Sequence, residues 1–216
     1  MISAAPVALA GCSGPLSTLD PVGHAARDIA LLWWGMLAGA GAITVLVLVL
    51  LVLAMGRPRA TTQGRWVYGL GLWFSMAVLG TVLAAGLWVG ERILPRDDGA
   101  VTVQAHAFQW GWTFSHDGAD GQRVESEGIL HIPAGQPVDI LITSQDVIHS
   151  FWVPRLGGKL DAIPGRENRL RVQADSAGRF DGLCAEFCGL GHAAMRFEVV
   201  AHDTWPPADP ESPEGP

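Results

Sequence analysis

Two long stretches without a charged residue constrain the fold of this 216-residue chain more than any other feature. The first runs from Ile29 to Met55 and the second from Trp66 to Gly90. About 20 consecutive apolar residues are enough to cross a bilayer, whereas the buried helices of soluble domains are usually shorter. We therefore predict that residues 29–55 and 66–90 form transmembrane helices in a lipid bilayer, and that tryptophans near their ends lie at the membrane interface.

The segment between the two stretches, residues 56–65, indicates how the hairpin is oriented. It contains Arg57, Arg59 and Arg65 and no acidic residue. Short loops rich in Lys and Arg stay on the cytoplasmic side of the membrane. The sequence therefore predicts a cytoplasmic loop over 56–65, with both ends of the chain on the other side.

Residues 1–28 precede the first predicted helix and contain one motif of their own. The letters VALAGC over residues 7–12 resemble the lipobox of bacterial lipoproteins, in which the cysteine carries the lipid. No Lys or Arg precedes Cys12, although a signal peptide begins with a basic region. Two interpretations stay open, namely lipid attachment at Cys12 and a free cysteine in an extracytoplasmic leader.

Beyond residue 100 the hydropathy pattern changes from long apolar runs to short alternating segments. VTVQAHAFQWGWTF, GILHIPAGQPVDILITS and MRFEVVAH are rich in strand-forming residues, and turn-forming clusters separate them. We predict an all-β Greek-key domain over residues 97–203. The tail 204–216 is acidic and rich in proline, which is typical of disorder.

Charge is distributed unevenly and restricts the class of partner. Residues 97–216 carry a net charge of −10, whereas the whole chain carries −7. A nucleic-acid-binding face needs clustered Lys and Arg, so no nucleic-acid partner is expected. The acidic half instead favours a cationic partner.

A set of soft donors predicts a metal site in the β domain. The segment Cys184–Met195 reads CAEFCGLGHAAM, which has the spacing C-x3-C-x3-H-x2-M, and His149 lies upstream in SQDVIHSFW. Thiolates, imidazoles and a thioether favour copper over Mg, Ca or Mn. Two alternatives stay open. One is zinc, although Met is a poor zinc ligand. The other is a disulfide between Cys184 and Cys188.

Three segments in this order behind a two-helix hairpin carry a family resemblance. TSQDVIHSFWVP, KLDAIPGR and CAEFCGLGHAAM closely resemble cytochrome c oxidase subunit II, and the resemblance extends over roughly residues 20–202. It implies a cupredoxin fold that holds a dinuclear copper A centre. The implied ligands are His149, Cys184, Cys188, His192, Met195 and the backbone carbonyl of Glu186. The resemblance also implies a magnesium ion, bound by the Glu186 side chain and shared with subunit I.

The segment AHAFQWGWTF resembles the aromatic motif that precedes the copper ligands in this family. The resemblance implies that electrons from cytochrome c enter at Trp110. The alternative is that Trp110 and Trp112 pack on one face of a strand. Gly111 stands where a Tyr is usual, and Asp146 matches a family acid near the site.

The function that the resemblance implies is subunit II of a bacterial terminal oxidase, a multi-pass inner-membrane protein with a periplasmic C-terminal domain. Its partners would be subunit I, the other oxidase subunits and a soluble or membrane-bound cytochrome c. The complex would reduce oxygen to water and translocate protons, but this chain would contain no oxygen-reducing site. Gln63 replaces a Glu that is common at the mouth of a proton channel. The alternatives are a copper A subunit of a nitric oxide reductase and a membrane-anchored copper carrier or assembly factor.

Overall fold

The computed structural model describes residues 12–56 and 62–207. It divides into two compact units, one formed by Asp28–Arg92 and the other by the chain up to Arg27 together with Ile93 onward. Residues 1–11, which include most of the lipobox-like motif, and residues 57–61 and 208–216 lie outside the described part. The arginines at 57 and 59 and most of the predicted disordered tail therefore stay predictions from sequence.

The first unit is a pair of long apolar helices. They are α1 (His24–Ala54) and a second helix that begins as a π-helical segment (Arg65–Phe74) and continues as α2 (Ser75–Ile93). Both are long and apolar enough to cross a membrane. Helix α1 starts five residues before the predicted span, at His24, and α2 ends at Ile93 where residue 90 was predicted.

One ion pair connects the two helices. The Arg92 guanidinium donates to Asp28 at 2.7 Å, and its charged group also lies 4.8 Å from the centre of the Trp88 ring. An unpaired charge near a bilayer is costly because it loses hydration. The pair therefore lets both charges lie beside apolar segments.

The second unit is a sandwich of two five-stranded sheets. One sheet has the strand order β3-β2-β1-β5-β8 and the other has the order β4-β10-β9-β6-β7. Two of the neighbouring pairs, β1 with β5 and β4 with β10, are parallel, and the remaining pairs are antiparallel. The strands are β1 (Val101–Phe108), β2 (Gly111–Asp117), β3 (Arg123–Glu127), β4 (Ile129–Pro133), β5 (Val138–Ser144), β6 (His149–Trp152), β7 (Leu160–Ala162), β8 (Asn168–Val172), β9 (Gly178–Cys184) and β10 (Arg196–His202).

This architecture confirms the predicted fold class, a helical hairpin followed by a cupredoxin-like β domain. Alternation along the strands explains it locally, since Val103, Ala105 and Ala107 of β1 are buried while the residues between them are partly exposed. Successive side chains of a strand point to opposite faces, so this pattern buries one face of the sheet. The buried faces of both sheets form one apolar core.

Four aromatic rings occupy the core beside the ends of β6 and β9. Phe151 and Phe197 stack with their ring centres 4.7 Å apart, and Trp112 lies 5.7 Å from Phe151 and 5.4 Å from Phe197. Phe114 completes the cluster at 5.5 Å from Phe197. Offset and edge-on aromatic pairs of this kind add stability beyond the area that they bury.

The segment before α1 packs on the β domain. The backbone N–H groups of Val22 and Gly23 both donate to the carbonyl of Arg155, and Gly23 pairs with Ala174 in an isolated bridge. Arg27 forms an ion pair with Asp175. Cys12, at the start of the described chain, is exposed and free, so lipid attachment there stays a prediction.

Two guanidinium groups of β8 hold the connection from α2 into β1, and one of them, Arg169, pairs with Asp97 at 2.8 Å. Arg171 on β8 donates to Asp139 on β5 and to Asp98 in the connection, at 2.7 to 2.9 Å, and also to the carbonyl of Arg96. The hydrogen bond from Arg171 holds the pKa of the Asp98 carboxyl below its usual value. Bidentate pairs of this type fix geometry as well as charge.

Three histidines, His116 on β2 of one sheet and His131 and His202 on β4 and β10 of the other, lie close together at the end of β10 that is farther from Met195. His131 Nδ1 lies 2.9 Å from His202 Nε2, and the ring of His116 lies 6.0 Å from that of His131 and 5.0 Å from Trp205. All three histidines are buried. Burial, and then the neighbouring His202, His116 and Arg179, lower the pKa of His131 to about 4.

Gly182 on β9 offers a test of the aromatic cluster. A Cβ atom at this position would lie 2.2 Å from the Phe197 ring, which is far below van der Waals contact. We expect Gly182→Ala to lower the free energy of unfolding by about 1–3 kcal/mol, because a packed core resists added volume. Calorimetric unfolding of the full chain in detergent measures the change. In the matched control Gly157→Ala, the added Cβ meets its nearest atoms at 3.7 Å, so we expect little effect there.

The histidine cluster predicts a pH dependence of stability. Because the pKa of His131 falls from 6.5 to about 4 on folding, the unfolded chain takes up its proton first as the pH drops. The His131 contribution is therefore complete above pH 6.5, and up to about 3 kcal/mol is lost as the pH falls through this window.

The free energy of unfolding, measured from pH 7 to pH 4, should fall less steeply in His131→Gln than in the wild type. His106→Gln, at a half-buried histidine that bonds Thr143, is the matched control. Equal slopes for His131→Gln and the wild type would contradict this prediction.

Candidate metal centre

The predicted ligands come together at one end of the β4-β10-β9-β6-β7 sheet. His149 begins β6, Cys184 ends β9 and Met195 directly precedes β10. In the β6–β9 register Phe151 pairs with Cys184, and the backbone N–H of Cys184 donates to the carbonyl of Met195 at 3.0 Å. Three neighbouring strands therefore deliver ligands that lie 46 positions apart in the sequence at their extremes.

Each cysteine sulfur has its own imidazole. Cys184 Sγ lies 3.9 Å from His149 Nδ1, and Cys188 Sγ lies 3.7 Å from His192 Nδ1. The two sulfurs are 3.8 Å apart and both thiols are free, whereas a disulfide would bring them to about 2.05 Å. The structure therefore has a dithiol in place of the alternative disulfide.

Each sulfur also has one weaker donor beside it. The carbonyl oxygen of Glu186 lies 3.3 Å from Cys184 Sγ, and the thioether sulfur of Met195 lies 3.7 Å from Cys188 Sγ. The structure thus brings together every ligand that the sequence predicted. Within residues 12–56 and 62–207, only one group of three or more His, Cys, Asp or Glu residues has all its ligand atoms within 4.8 Å of one another. That group is His149, Cys184 and Cys188.

The donor set suits a soft metal such as copper. Two sulfurs flanked by two imidazoles and a thioether match copper, and the thioether and carbonyl add donors that structural zinc sites do not use. The side chains are almost inaccessible to solvent, with exposed fractions of 0% for His149, 2% for Cys184, 4% for Cys188 and 1% for Met195. Burial, and then the nearby Cys184 thiol, raise the pKa of the Cys188 thiol to about 11. A bound metal therefore has to displace a proton from Cys188.

The side chain and the backbone carbonyl of Glu186 have different neighbours. Its carboxylate lies 3.8 Å from Lys159 Nζ, and both side chains are about half exposed. Lys159 also donates to the carbonyl of Ala185 at 3.3 Å. A hard ion such as Mg²⁺ takes oxygen ligands, and here one carboxylate is available beside a lysine. A magnesium site at Glu186 therefore requires further oxygen ligands from outside this group.

Trp110 lies against the metal-binding loop and is 43% exposed. Its indole Nε1 donates to the carbonyl of Cys188 at 3.2 Å. Glycines shape the surface beneath the ring, because a Cβ atom would lie 3.3 Å from the indole at Gly189 and 2.5 Å from it at Gly191. The aromatic ring therefore has one face near the ligands and part of its surface open to solvent. Trp112, by contrast, is buried in the core, so the two tryptophans do not share one role.

Two more residues contact the ligands, and sequence reasoning missed one of them. Gln109 Nε2 donates to the carbonyl of Cys188 at 2.6 Å, a contact that only the fold brings about. Asp146 Oδ1 accepts a hydrogen bond from His149 Nε2 at 2.8 Å. Burial acts to raise the pKa of Asp146, but hydrogen bonds from His149 and from the backbone of Val147 and Gln109 outweigh it, so the pKa lies below its usual value.

Comparison with known families agrees with this geometry. Residues 116–202 match the family described as cytochrome C oxidase subunit II, periplasmic domain. The chain is 41% identical over 111 residues to cytochrome c oxidase subunit 2 of Alkalihalophilus pseudofirmus, which covers 49% of this chain and 31% of the relative. It is 31% identical over 158 residues to the alternative cytochrome c oxidase subunit 2 of Bradyrhizobium diazoefficiens, which covers 59% of this chain and 57% of the relative.

Among solved structures, the chain is similar to the periplasmic domain of subunit II of cytochrome oxidase (CoxB) of Bradyrhizobium japonicum. The similarity has a TM-score of 0.46 and 29% identity, and covers 51% of this chain and 88% of that chain. The chain spans less than two thirds of the curated relatives that it matches. The family match lies within the β domain and includes all the predicted metal ligands. Over residues 116–202 the β domain of this chain is thus similar to the periplasmic domain of cytochrome c oxidase subunit II.

Proposed function

We propose that this chain is subunit II of a bacterial terminal oxidase, which accepts electrons from a cytochrome c and passes them to haem in subunit I, where oxygen is reduced to water. The observation that carries the proposal is the pair of buried thiols 3.8 Å apart, each with its own imidazole nitrogen within 3.9 Å. When bound there, a dinuclear copper A centre supplies a site that gains and loses one electron. The ligands would be His149, Cys184, Cys188, His192, Met195 and the Glu186 carbonyl.

The protein part of this function is a rigid, dry enclosure. Cys184 is held by backbone hydrogen bonding to β10, and the aromatic cluster of Phe151 and Phe197 packs behind it. A packed interior resists rearrangement, so the ligands keep their places as charge arrives and leaves. Little reorganisation is what an electron-transfer site requires of its protein, since the metal itself does the redox chemistry.

The same burial argues against a copper carrier or assembly factor. A carrier hands its metal to a partner, so its ligands need to be reachable from outside. Here four of the five ligand side chains are at most 4% exposed, and His192 is partly exposed. The enclosure favours a resident metal over an exchangeable one.

Trp110 and the surface charge support cytochrome c as the donor. The indole reaches from the exposed surface to the carbonyl of Cys188, the residue whose sulfur would be a ligand. The net charge of −10 over residues 97–216 attracts a cationic partner, and screening weakens that attraction over about 8–10 Å at physiological salt. Electrons would therefore enter at Trp110 after charge-guided docking.

The hairpin and Glu186 would join this chain to the rest of the oxidase. Two helices long and apolar enough to cross a bilayer, joined by an Arg-containing loop, support a position of the β domain outside the cytoplasm, at a bacterial inner membrane. The apolar helices would pack beside subunit I in the bilayer. Glu186 would contribute one carboxylate to a magnesium site that subunit I completes.

Copper binding by the full chain in detergent tests the proposal. We expect two coppers per chain and an electron spin resonance spectrum of one electron shared between two metals. Cys184→Ser should abolish that spectrum, because the site needs both sulfurs. The matched control is Cys12→Ser, which removes an exposed free cysteine and should leave copper binding unchanged. One copper per chain with a mononuclear spectrum would refute the proposal.

The role of Trp110 predicts a separate effect. In copper-loaded chain, Trp110→Leu should slow reduction by cytochrome c about tenfold or more, which corresponds to a barrier raised by about 1.4 kcal/mol. The copper spectrum should stay unchanged, because Trp110 supplies no ligand atom. Single-turnover stopped-flow absorbance measures the rate.

Trp73→Leu is the control for this experiment, since Trp73 is exposed on the π-helical segment of the hairpin. A wild-type rate in Trp110→Leu would make Trp110 a packing residue. The docking surface would then have another route for electrons.

A further inference from the structure

Asp146 lies in the turn between β5 and β6 and uses both carboxylate oxygens within its own chain. Oδ1 accepts from His149 Nε2 at 2.8 Å and from the backbone N–H of Val147 at 2.7 Å. Oδ2 accepts from the backbone N–H of Gln109 at 2.7 Å. The side chain is only 29% exposed. An acid that serves mainly to attract a partner does not need this many internal hydrogen bonds.

The contact with His149 determines which ring nitrogen carries the proton. A carboxylate accepts hydrogen bonds and cannot donate one, so Nε2 of His149 has to carry the hydrogen. Nδ1 then presents its lone pair, and Nδ1 is the atom that lies 3.9 Å from Cys184 Sγ. Carboxylates that fix the tautomer and orientation of ligating histidines in this way raise metal affinity.

The contact with Gln109 extends the effect to a second turn. Gln109 lies in the turn between β1 and β2, and its side chain and that of Trp110 both donate to the carbonyl of Cys188. Asp146 therefore joins the turn that bears Trp110 to the turn that bears His149. Both turns contact the Cys184–Met195 segment, the first through hydrogen bonds to the Cys188 carbonyl and the second through the His149 ring beside the Cys184 sulfur.

We propose that Asp146 is a positioning residue of the metal centre. One of its carboxylate oxygens holds His149 with Nδ1 toward the cysteines, and the other holds the Gln109–Trp110 turn against the metal-binding loop. The identity of the metal rests on the function proposed above, whereas the positioning of His149 and Gln109 is a property of the polypeptide. The expectation from sequence treated this residue only as a match to a family acid near the site. The structure assigns it to the architecture of the site.

The test uses metal-free full chain in detergent with ¹⁵N-labelled histidine, in which His149→Gln identifies the signals of His149. The ring nitrogen shifts report which nitrogen bears the proton. In the wild type we expect a single Nε2–H tautomer. In Asp146→Ala we expect the His149 shifts to move toward a mixture of tautomers, because the acceptor is gone. Unchanged His149 shifts in Asp146→Ala would overturn the proposal.

A conservative variant covers the case in which Asp146→Ala does not fold. His149 and Gln109 donate to different oxygens of Asp146, and Asn has a donor amide in place of one of these oxygens, so Asp146→Asn loses one of the two hydrogen bonds. Either the His149 shifts or the hydrogen-exchange rate of the Gln109 amide must therefore change. If neither changes, the two-oxygen link is refuted. Asp181→Asn makes the same change of charge at an exposed position on β9 and should change neither readout.

Copper loading of the same variants separates this proposal from the proposed function. If the wild type binds two coppers, Asp146→Ala should alter the spin resonance spectrum while Asp181→Asn leaves it as in the wild type. A copper spectrum in Asp146→Ala identical to that of the wild type would overturn the positioning of the ligand. If the wild type binds no copper pair, the proposed function fails, and the tautomer measurement still decides the role of Asp146.

Discussion

The pairing of β6, β9 and β10 is the constraint on which the metal centre depends. Because β9 lies between the other two strands, the start of β6, the end of β9 and the residue before β10 reach the same end of the sheet. The backbone hydrogen bond from Cys184 to Met195 closes the base of the loop between them. A slip of one residue in this register would turn Cys184 to the other face of the sheet, since side chains alternate along a strand. Ligand geometry is thus a consequence of strand register.

Core packing behind the ligands gives the site its chemical character. Trp112, Phe151 and Phe197 belong to the same buried cluster as Cys184, Cys188 and Met195, and Phe151 pairs with Cys184 across β6 and β9. Exclusion of water strengthens every charge interaction within the loop and makes an unpaired charge there costly. The high pKa of the Cys188 thiol is one result of this environment. The same environment would be favourable for a metal that neutralises both thiolates.

Polar residues at the rim keep the loops in place where the core does not reach. Gln109, Trp110 and Asp146 contact the Cys188 carbonyl or His149, and together they connect the turns on both sides of the metal-binding loop. Three of these hydrogen bonds are 2.6 to 2.8 Å long, and the one from Trp110 is 3.2 Å long. The site is therefore supported by packing from below and by a small polar network from above.

Much of this organisation follows from the chain itself. The two uncharged stretches predict a membrane hairpin because each is long enough to cross a bilayer, and alternation after residue 100 predicts strands. Cys184, Cys188, His192 and Met195 lie within 12 residues, so their spacing alone indicates a metal site. His149 lies 35 residues before Cys184, so the sequence offers it as a further soft donor but only the fold brings its ring beside that sulfur.

The tertiary structure decided what depends on contacts between distant segments. The hydrogen bond from the Gln109 backbone to Asp146 joins residues 37 positions apart and needs β1 and β5 to lie side by side, so no local pattern encodes it. The buried cluster of His116, His131 and His202 likewise joins three strands that are far apart in the chain. Local sequence determines which residues can be apolar, extended or soft donors, because these properties belong to each residue. Which of them meet is set by strand order and register, because these are properties of the whole fold.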